Sequence, residues 1–321
     1  MNRTTKIWLI AATVLILTGC MIFRGAMTVG KWKIGKLSEI DYETNRYEIE
    51  EAFGNISVLC DTADIVFVPS ENGSSAIICY EEKNARHSVK VQDGALVIAV
   101  ENTKKWYDYV RLISAGTPKI TLQIPKGEYG ALSIKTSTGD VDIPKEFSFE
   151  SMDISMSTGD ITSGASSKGL AKIKAGTGDI TVEGVSAGAM ECSVSTGKVT
   201  LNDLRCEGDV QIKVSTGKVK LRNVECKNLI STGNTGDLSL ENVIASEKFS
   251  LERTTGEVEF DRCDAAELYI RSNTGRVHGS LLSSKIFICQ SSTGSVNVPK
   301  TTSGGKCEVI TSTGSIKITV E

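Results

Sequence analysis

A Thr-Gly pair recurs at near-constant spacing ten times between Ala131 and Glu321, with its glycines at Gly139, Gly159, Gly178, Gly197, Gly217, Gly236, Gly256, Gly275, Gly294 and Gly314. Successive glycines stand 19 or 20 residues apart. A fixed period of that size marks an array of like rungs, each able to bury its apolar face only against its neighbours. Aligned on the glycine, the residue two later is Val, Ile or Leu in every rung, from Val141 to Ile316. Four later it is apolar except at Ser163 and Gly279, and the positions seven and five earlier are mostly apolar too, as in Leu132 and Ile134 or Val210 and Ile212. Apolar residues two apart with polar ones between them are strands with one buried face.

Each rung therefore reads as strand, tight turn, strand, second corner and short return. Glycine supplies the positive φ of the tight turn, and Pro144, Pro299, Asn202, Asp203, Asn223 and Asn242 fall where the second corner is expected. The predicted fold is all-β, a single stack forming a parallel β-solenoid of about ten rungs over 131–321, on the order of 50 Å long at a strand spacing of ~4.8 Å. Phe53–Pro69 fits the same frame with Ala63 at the glycine position, which makes it a degenerate first rung. The less regular strands after it, Ala76–Glu81, Ser88–Val91, Ala95–Val100 and Lys119–Ile124, with Trp106, Tyr107 and Tyr109 in a loop, form an expected cap over 53–130. At the other end Ser315–Val320 has only Glu321 beyond it, so this C-terminal edge is expected to be open and available for self-association or for contact with a partner.

The N-terminus carries a membrane signal. Ile7–Phe23 is free of charge and lies between Lys6 and Arg24. Residues 1–6 read as a short cytoplasmic tail, 7–29 as one transmembrane anchor or a signal, and 30–52, with Lys31, Lys33 and Lys36, as a linker. Leu17-Thr18-Gly19-Cys20 also resembles the lipobox of bacterial lipoproteins, whose cysteine is acylated, but Met21, Ile22 and Phe23 prolong the apolar run beyond Cys20. Either anchor places the remainder outside the cytoplasmic membrane.

Little in the sequence signals catalysis. The net charge is −3 with no clustered basic face, which excludes a nucleic-acid partner. The nine cysteines contain no Cys-x-x-Cys pair and read as small buried apolar residues. The two histidines, His87 and His278, lie near no nucleophile motif, and no phosphate loop or dinucleotide fingerprint occurs. No catalytic, cofactor-binding or metal residue is assigned. The acidic column after the glycine, Asp140, Asp160 and Asp179, invites a calcium reading that stays open, although the calcium-binding nonapeptide repeat is absent. Its continuation through Lys198, Lys218, Asp237, Glu257 and Arg276 reads as charge alternation along a solvated edge.

The segments STGDVDI, STGDIT, GTGDITV, STGKVTL and STGKVKL, following an apolar N-terminus, resemble the bacterial putative adhesin family, a β-strand-repeat domain of envelope proteins. The resemblance covers Phe53 to Glu321. It implies a surface-exposed, non-enzymatic solenoid with an unidentified cell-envelope or protein partner. Envelope-stress sensing and a carbohydrate-active enzyme are the alternatives, and the family offers no catalytic motif to carry over.

Overall fold

In a computed structural model the described residues are 3–29, 41–102 and 116–321. They form one helix, α1 (Arg3–Val29), and a continuous sheet wound into a parallel β-solenoid. Expected features at Lys31, Lys33, Lys36, Trp106, Tyr107 and Tyr109 lie outside the described residues.

Burial shows why each rung closes. Around Gly217 the buried side chains are Val210, Ile212 and Val214, then Val219 and Leu221, then Val224 and Cys226. Within each group burial alternates every second residue, and between groups the parity shifts. A shift of parity turns the inward face, so each rung has three sides meeting at three corners. The third side was expected only as a short return. Its inward pairs are Val185/Ala187, Leu204/Cys206, Val224/Cys226, Val243/Ala245 and Cys263/Ala265. Seven of the nine cysteines are buried in the core, where they act as small apolar residues, while Cys289 is half-buried and Cys20 lies exposed on α1.

The three corners differ in kind. At the first, the Thr-Gly turn, the glycine N–H donates to the threonine carbonyl of the next rung, for example Gly217 N to Thr235 O at 2.8 Å. The second takes a left-handed residue at Gly184, Asp203, Asn223, Asn242 and Arg262 (φ 67°, 51°, 52°, 54° and 48°). Asn223 Nδ2 donates to Asp203 Oδ1 (2.7 Å) and Asn242 Nδ2 to Asn223 Oδ1 (2.9 Å), building a side-chain ladder up this corner. Arg262 ends that ladder with a residue poorly suited to positive φ. Arg262→Asn is therefore expected to raise stability by about 0.5–1 kcal/mol, read as a higher urea midpoint with an unchanged m-value. The third corner absorbs the 19- or 20-residue drift: Cys226 pairs with Ala245 but Asn228 with Lys248, across a bulge.

The cap is larger than the sequence suggests. Tyr42–Ile49 (β1), within the expected linker, is a strand. It is followed by Asn55–Leu59 (β2), Asp64–Ser70 (β3), Ser75–Glu82 (β4), Ala85–Gln92 (β5), Ala95–Asn102 (β6) and Lys119–Pro125 (β7). β2 and β3 form the degenerate rung, stacked on the Gly139 rung through Ile56–Leu132 and Ile65–Val141. On its other side β6 and β7 add one more parallel layer. Antiparallel strands close that layer, β5 on β6, and β4 then β1 on β7. β1 is held because its alternate residues Tyr47 and Ile49 pack on the core.

The far end departs from sequence order. The strand Val258–Thr274 pairs with Gly305–Thr313, and Val277–Leu281 pairs with Ile316–Val320, so the Gly314 rung stacks directly on the Gly275 rung. The Gly294 rung, formed by Lys285–Thr293 and Val296–Asn297, lies outside it. The C-terminal strand is thus paired along its length with Val277–Leu281 and, on the outer side, over Ile316 and Lys317 only, so the free edge is made of Lys285–Asn297 together with Ile318–Val320. The expected open C-terminal edge is filled only at Ile316 and Lys317, and the outermost rung is that of Lys285–Asn297. Lys285 anchors the outer rung: it is buried and pairs with Asp264 at 2.7 Å, two layers inward.

The side chains of α1 are described at Trp8 and over 12–25 and are exposed. Among the described residues no helix is long and apolar enough to cross a membrane. The expectation of a spanning helix rests on the charge-free sequence Ile7–Phe23.

Candidate binding groove

Three places gather chemistry on this scaffold. The first is the acidic column. Asp140 Oδ1 accepts the backbone N–H of Asp160 (2.8 Å), Asp160 Oδ1 that of Asp179 (2.7 Å), and Asp179 Oδ1 that of Lys198 (2.8 Å). Each carboxylate is a splint to the next rung. Beyond them Lys198 pairs with Asp179 (3.7 Å), Lys218 with Asp237 (3.2 Å) and Arg276 with Glu257 (2.8 Å), the alternation expected from the sequence. Asp237 is held below the usual carboxylate range, first by the Glu257 N–H and then by Lys218. His278 lies on the same edge, 3.2 Å from Glu257 and 3.6 Å from Glu259. One oxygen of each of the three aspartates is thereby engaged by the backbone of the next rung.

The second place is in the cap, where β4 and β5 bring Cys79, Glu81 and His87 together, all buried, with ligand atoms within 4.8 Å of one another. The sequence hid this cluster, since it depends on the turn at 83–84 bringing the Glu81 side chain against a residue six positions later. Glu81 Oε1 accepts from Asn45 Nδ2 (2.7 Å), and Oε2 faces both the His87 N–H and Nδ1 at 2.6 Å. Burial, then the Glu81 charge, pushes the Cys79 thiol up to about 12, so it stays protonated. Both carboxylate oxygens are engaged by protein donors, as expected of a closed polar network. Arg253 is a second buried cation, held by Ser231 Oγ (2.9 Å) and the Glu252 carbonyl (2.8 Å) with its pKa lowered to about 10 by burial. It lies against Gly233, where a Cβ would come within 3.0 Å of its guanidinium.

The third place is a groove crossing the third side of successive rungs. A row of Ser186, Arg205 and Glu225 separates two concavities of about 630 and 450 Å³. The larger is lined by hydroxyls and charges, among them Ser148, Ser166 and Lys168, and the smaller by the Asp203, Asn223 and Asn242 ladder. Lys168 bridges Glu128 (2.9 Å) and Glu150 (3.1 Å), which raise its pKa, and Arg205 lies 3.8 Å from Glu225. Parallel stacking repeats these groups at intervals of about 4.8 Å. Glu128 and Glu225 remain 66% and 67% exposed. Carboxylates so solvated lack the burial that tunes a general acid. The arrangement is chemically a polar binding surface.

Residues 53–213 and 207–321 match the model of the Toastrack DUF4097 family. The chain belongs to the Toastrack DUF4097 family. Among solved structures, this Toastrack protein is similar to a putative adhesin from Bacteroides fragilis (14% identity, TM-score 0.40) and to another from Parabacteroides distasonis (10% identity, TM-score 0.49). Each comparison covers 88% of this chain and 98% of the other. It is also similar to a protein described as a putative cell adhesion protein from Clostridium sporogenes, at 12% identity and a TM-score of 0.21, over 88% of this chain and 100% of the other. No curated protein matches the Toastrack chain.

Proposed function

We propose that this protein is a non-enzymatic binding module of the bacterial cell envelope, held at the membrane by its N-terminal segment with the solenoid on the extracytoplasmic side. The observation that carries the reading is the groove: hydroxyls, cations and solvated carboxylates repeat along successive rungs at strand spacing, as a linear polar polymer of the envelope would require. The exposed apolar side chains of α1, Trp8, Leu15 and Met21 among them, support the anchor, because lipid is the environment that would cover them.

Full-length protein is expected to stay with membranes through alkaline carbonate washing and, in detergent, to co-sediment with purified cell-wall sacculi. Arg205→Ala with Lys168→Ala should reduce sedimentation at least tenfold with the melting temperature unchanged. Equal sedimentation of the variant, or none by the native protein, overturns the groove reading; release by carbonate overturns the anchor.

A further inference from the structure

The two ends of the rod are built differently. At the cap the outermost strands, β1 and β5, carry charges that blunt their edges: Glu43, Arg46 and Glu48 on one, Arg86 and Lys90 on the other, with an Arg86–Glu43 pair at 2.6 Å. At the opposite end the Gly294 rung has no layer beyond it among the described residues. Its core is open: Val296 stands in the column that is buried in the other nine rungs, yet is 43% exposed, and Phe287, Cys289 and Val298 are only half-buried. Leu282, Ile286 and Ile288 add exposed apolar surface around them.

Beyond the buried, paired Lys285 the same rung lacks charge. The thirteen residues from Ile286 to Val298 contain no Asp, Glu, Lys or Arg, whereas each other rung carries at least one at the corresponding outward positions, such as Lys172, Lys174 and Asp179 or Lys306, Glu308 and Lys317. A parallel edge with free backbone groups, exposed core and no charge is a pairing surface left unblunted.

We infer that this end is an interface between two copies of the chain, joined by a two-fold axis through the Gly294 rung with Lys285–Thr293 pairing antiparallel to its counterpart. Two-fold pairing sets every residue near the axis against its own copy, so a charge there would repel itself. The uncharged stretch Ile286–Val298 meets that condition, Lys285 being buried against Asp264, and a partner recognised by charge would find nothing to match. The exposed faces of Phe287, Cys289, Val296 and Val298 are covered in the same step. Because the cap end is blunted, the association closes at two copies.

The test uses the full-length chain in mild detergent. Light scattering across a dilution series is expected to show a dimer that dissociates on dilution, and hydrogen exchange at Lys285–Asn297 should accelerate as it does so. Ile288→Lys, at a side chain already 52% exposed, should give a monomer with an unchanged urea midpoint. Leu170→Lys, on the side of the rod, should leave the dimer intact. A monomer at all concentrations, a dimer that persists in Ile288→Lys, or a dimer without concentration-dependent protection of Lys285–Asn297 overturns the proposal. The last of these would mark association through α1 or the rod's side. The outcome is independent of the sacculus experiment, since Arg205 and Lys168 lie far from this rung in the stack.

Discussion

Gly217→Ala is expected to cost at least about 3 kcal/mol, because two penalties fall on one residue. Its φ is +140°, which an L-residue adopts only under strain of about 1–3 kcal/mol. Its new Cβ would also stand 1.7 Å from the Gly197 carbonyl oxygen and 2.7 Å from the carbonyl carbon. That neighbour is backbone, held in place because Gly197 N donates to Thr216 O at 3.0 Å. It can retreat only by lengthening the hydrogen bonds between rungs. The comparison is Gly73→Ala, at φ +75° with nothing within 4 Å of the new Cβ, where backbone strain alone acts and about 1 kcal/mol is expected. Urea denaturation separates the two. Since the break falls mid-array and stability sums over neighbouring rungs, Gly217→Ala should also lower the m-value or split the transition. Equal losses at Gly73 and Gly217 would refute close stacking as the reason for the glycine.

The glycine column was legible because stacking allows no other residue there, and the inward columns on the first two sides because large apolar side chains fill them. The third side was harder to read for a physical reason. The second inward position of each pair holds Ala187, Cys206, Cys226, Ala245 or Ala265, small residues that stand out little in hydropathy. The inward positions of this side also differ between early and later rungs, with Phe147 and Phe149 eight and ten residues after Gly139 but Val185 and Ala187 seven and nine after Gly178. The outward exchange of the last two rungs is a non-local choice. The Gly275 rung presents an edge that either the Gly294 or the Gly314 rung could fill, and both carry the same Ser-Thr-Gly turn. The trace of the exchange in the sequence is the missing charge from Ile286 to Val298, which makes sense only once that rung is known to be the outermost.

The acidic column shows how one sequence pattern can carry a structural role. Asp140, Asp160 and Asp179 do stand one above another, as repetition demands. Such proximity of like charges is tolerated because each spends an oxygen on the next rung's backbone N–H, and the ladder then passes to lysines. The groove was illegible for the complementary reason: its residues occupy the side whose geometry the sequence did not disclose, so Lys168, Arg205 and Glu225 read only as scattered surface charge.

The cap network bears on the whole rod, because three strands meet on one carboxylate. Glu81 on β4 is fully buried and accepts from Asn45 on β1 and twice from His87 on β5. Glu81→Ala would leave a backbone N–H and an imidazole nitrogen without their acceptor inside the protein, while the Asn45 amide would keep only Glu43 at 3.0 Å. At about 1–3 kcal/mol for each unsatisfied buried group, partly relieved by relaxation, the expected loss is about 3–5 kcal/mol. Glu81→Gln keeps the shape and one acceptor but turns an amide donor toward donors, so it should recover only part of that loss. The damage should be local at first. Hydrogen exchange is expected to rise in β1, β4 and β5 at denaturant concentrations where the rungs from Gly159 to Gly256 stay protected. A loss below about 1 kcal/mol, or Glu81→Gln as stable as native, would mean the network does not hold the cap. Opening the cap strips β1 and β4 from β7 and β5 from β6, baring a second parallel edge next to an intact solenoid. Glu81→Ala should therefore pass from dimers to longer assemblies on mild heating, since both ends of the rod could then pair.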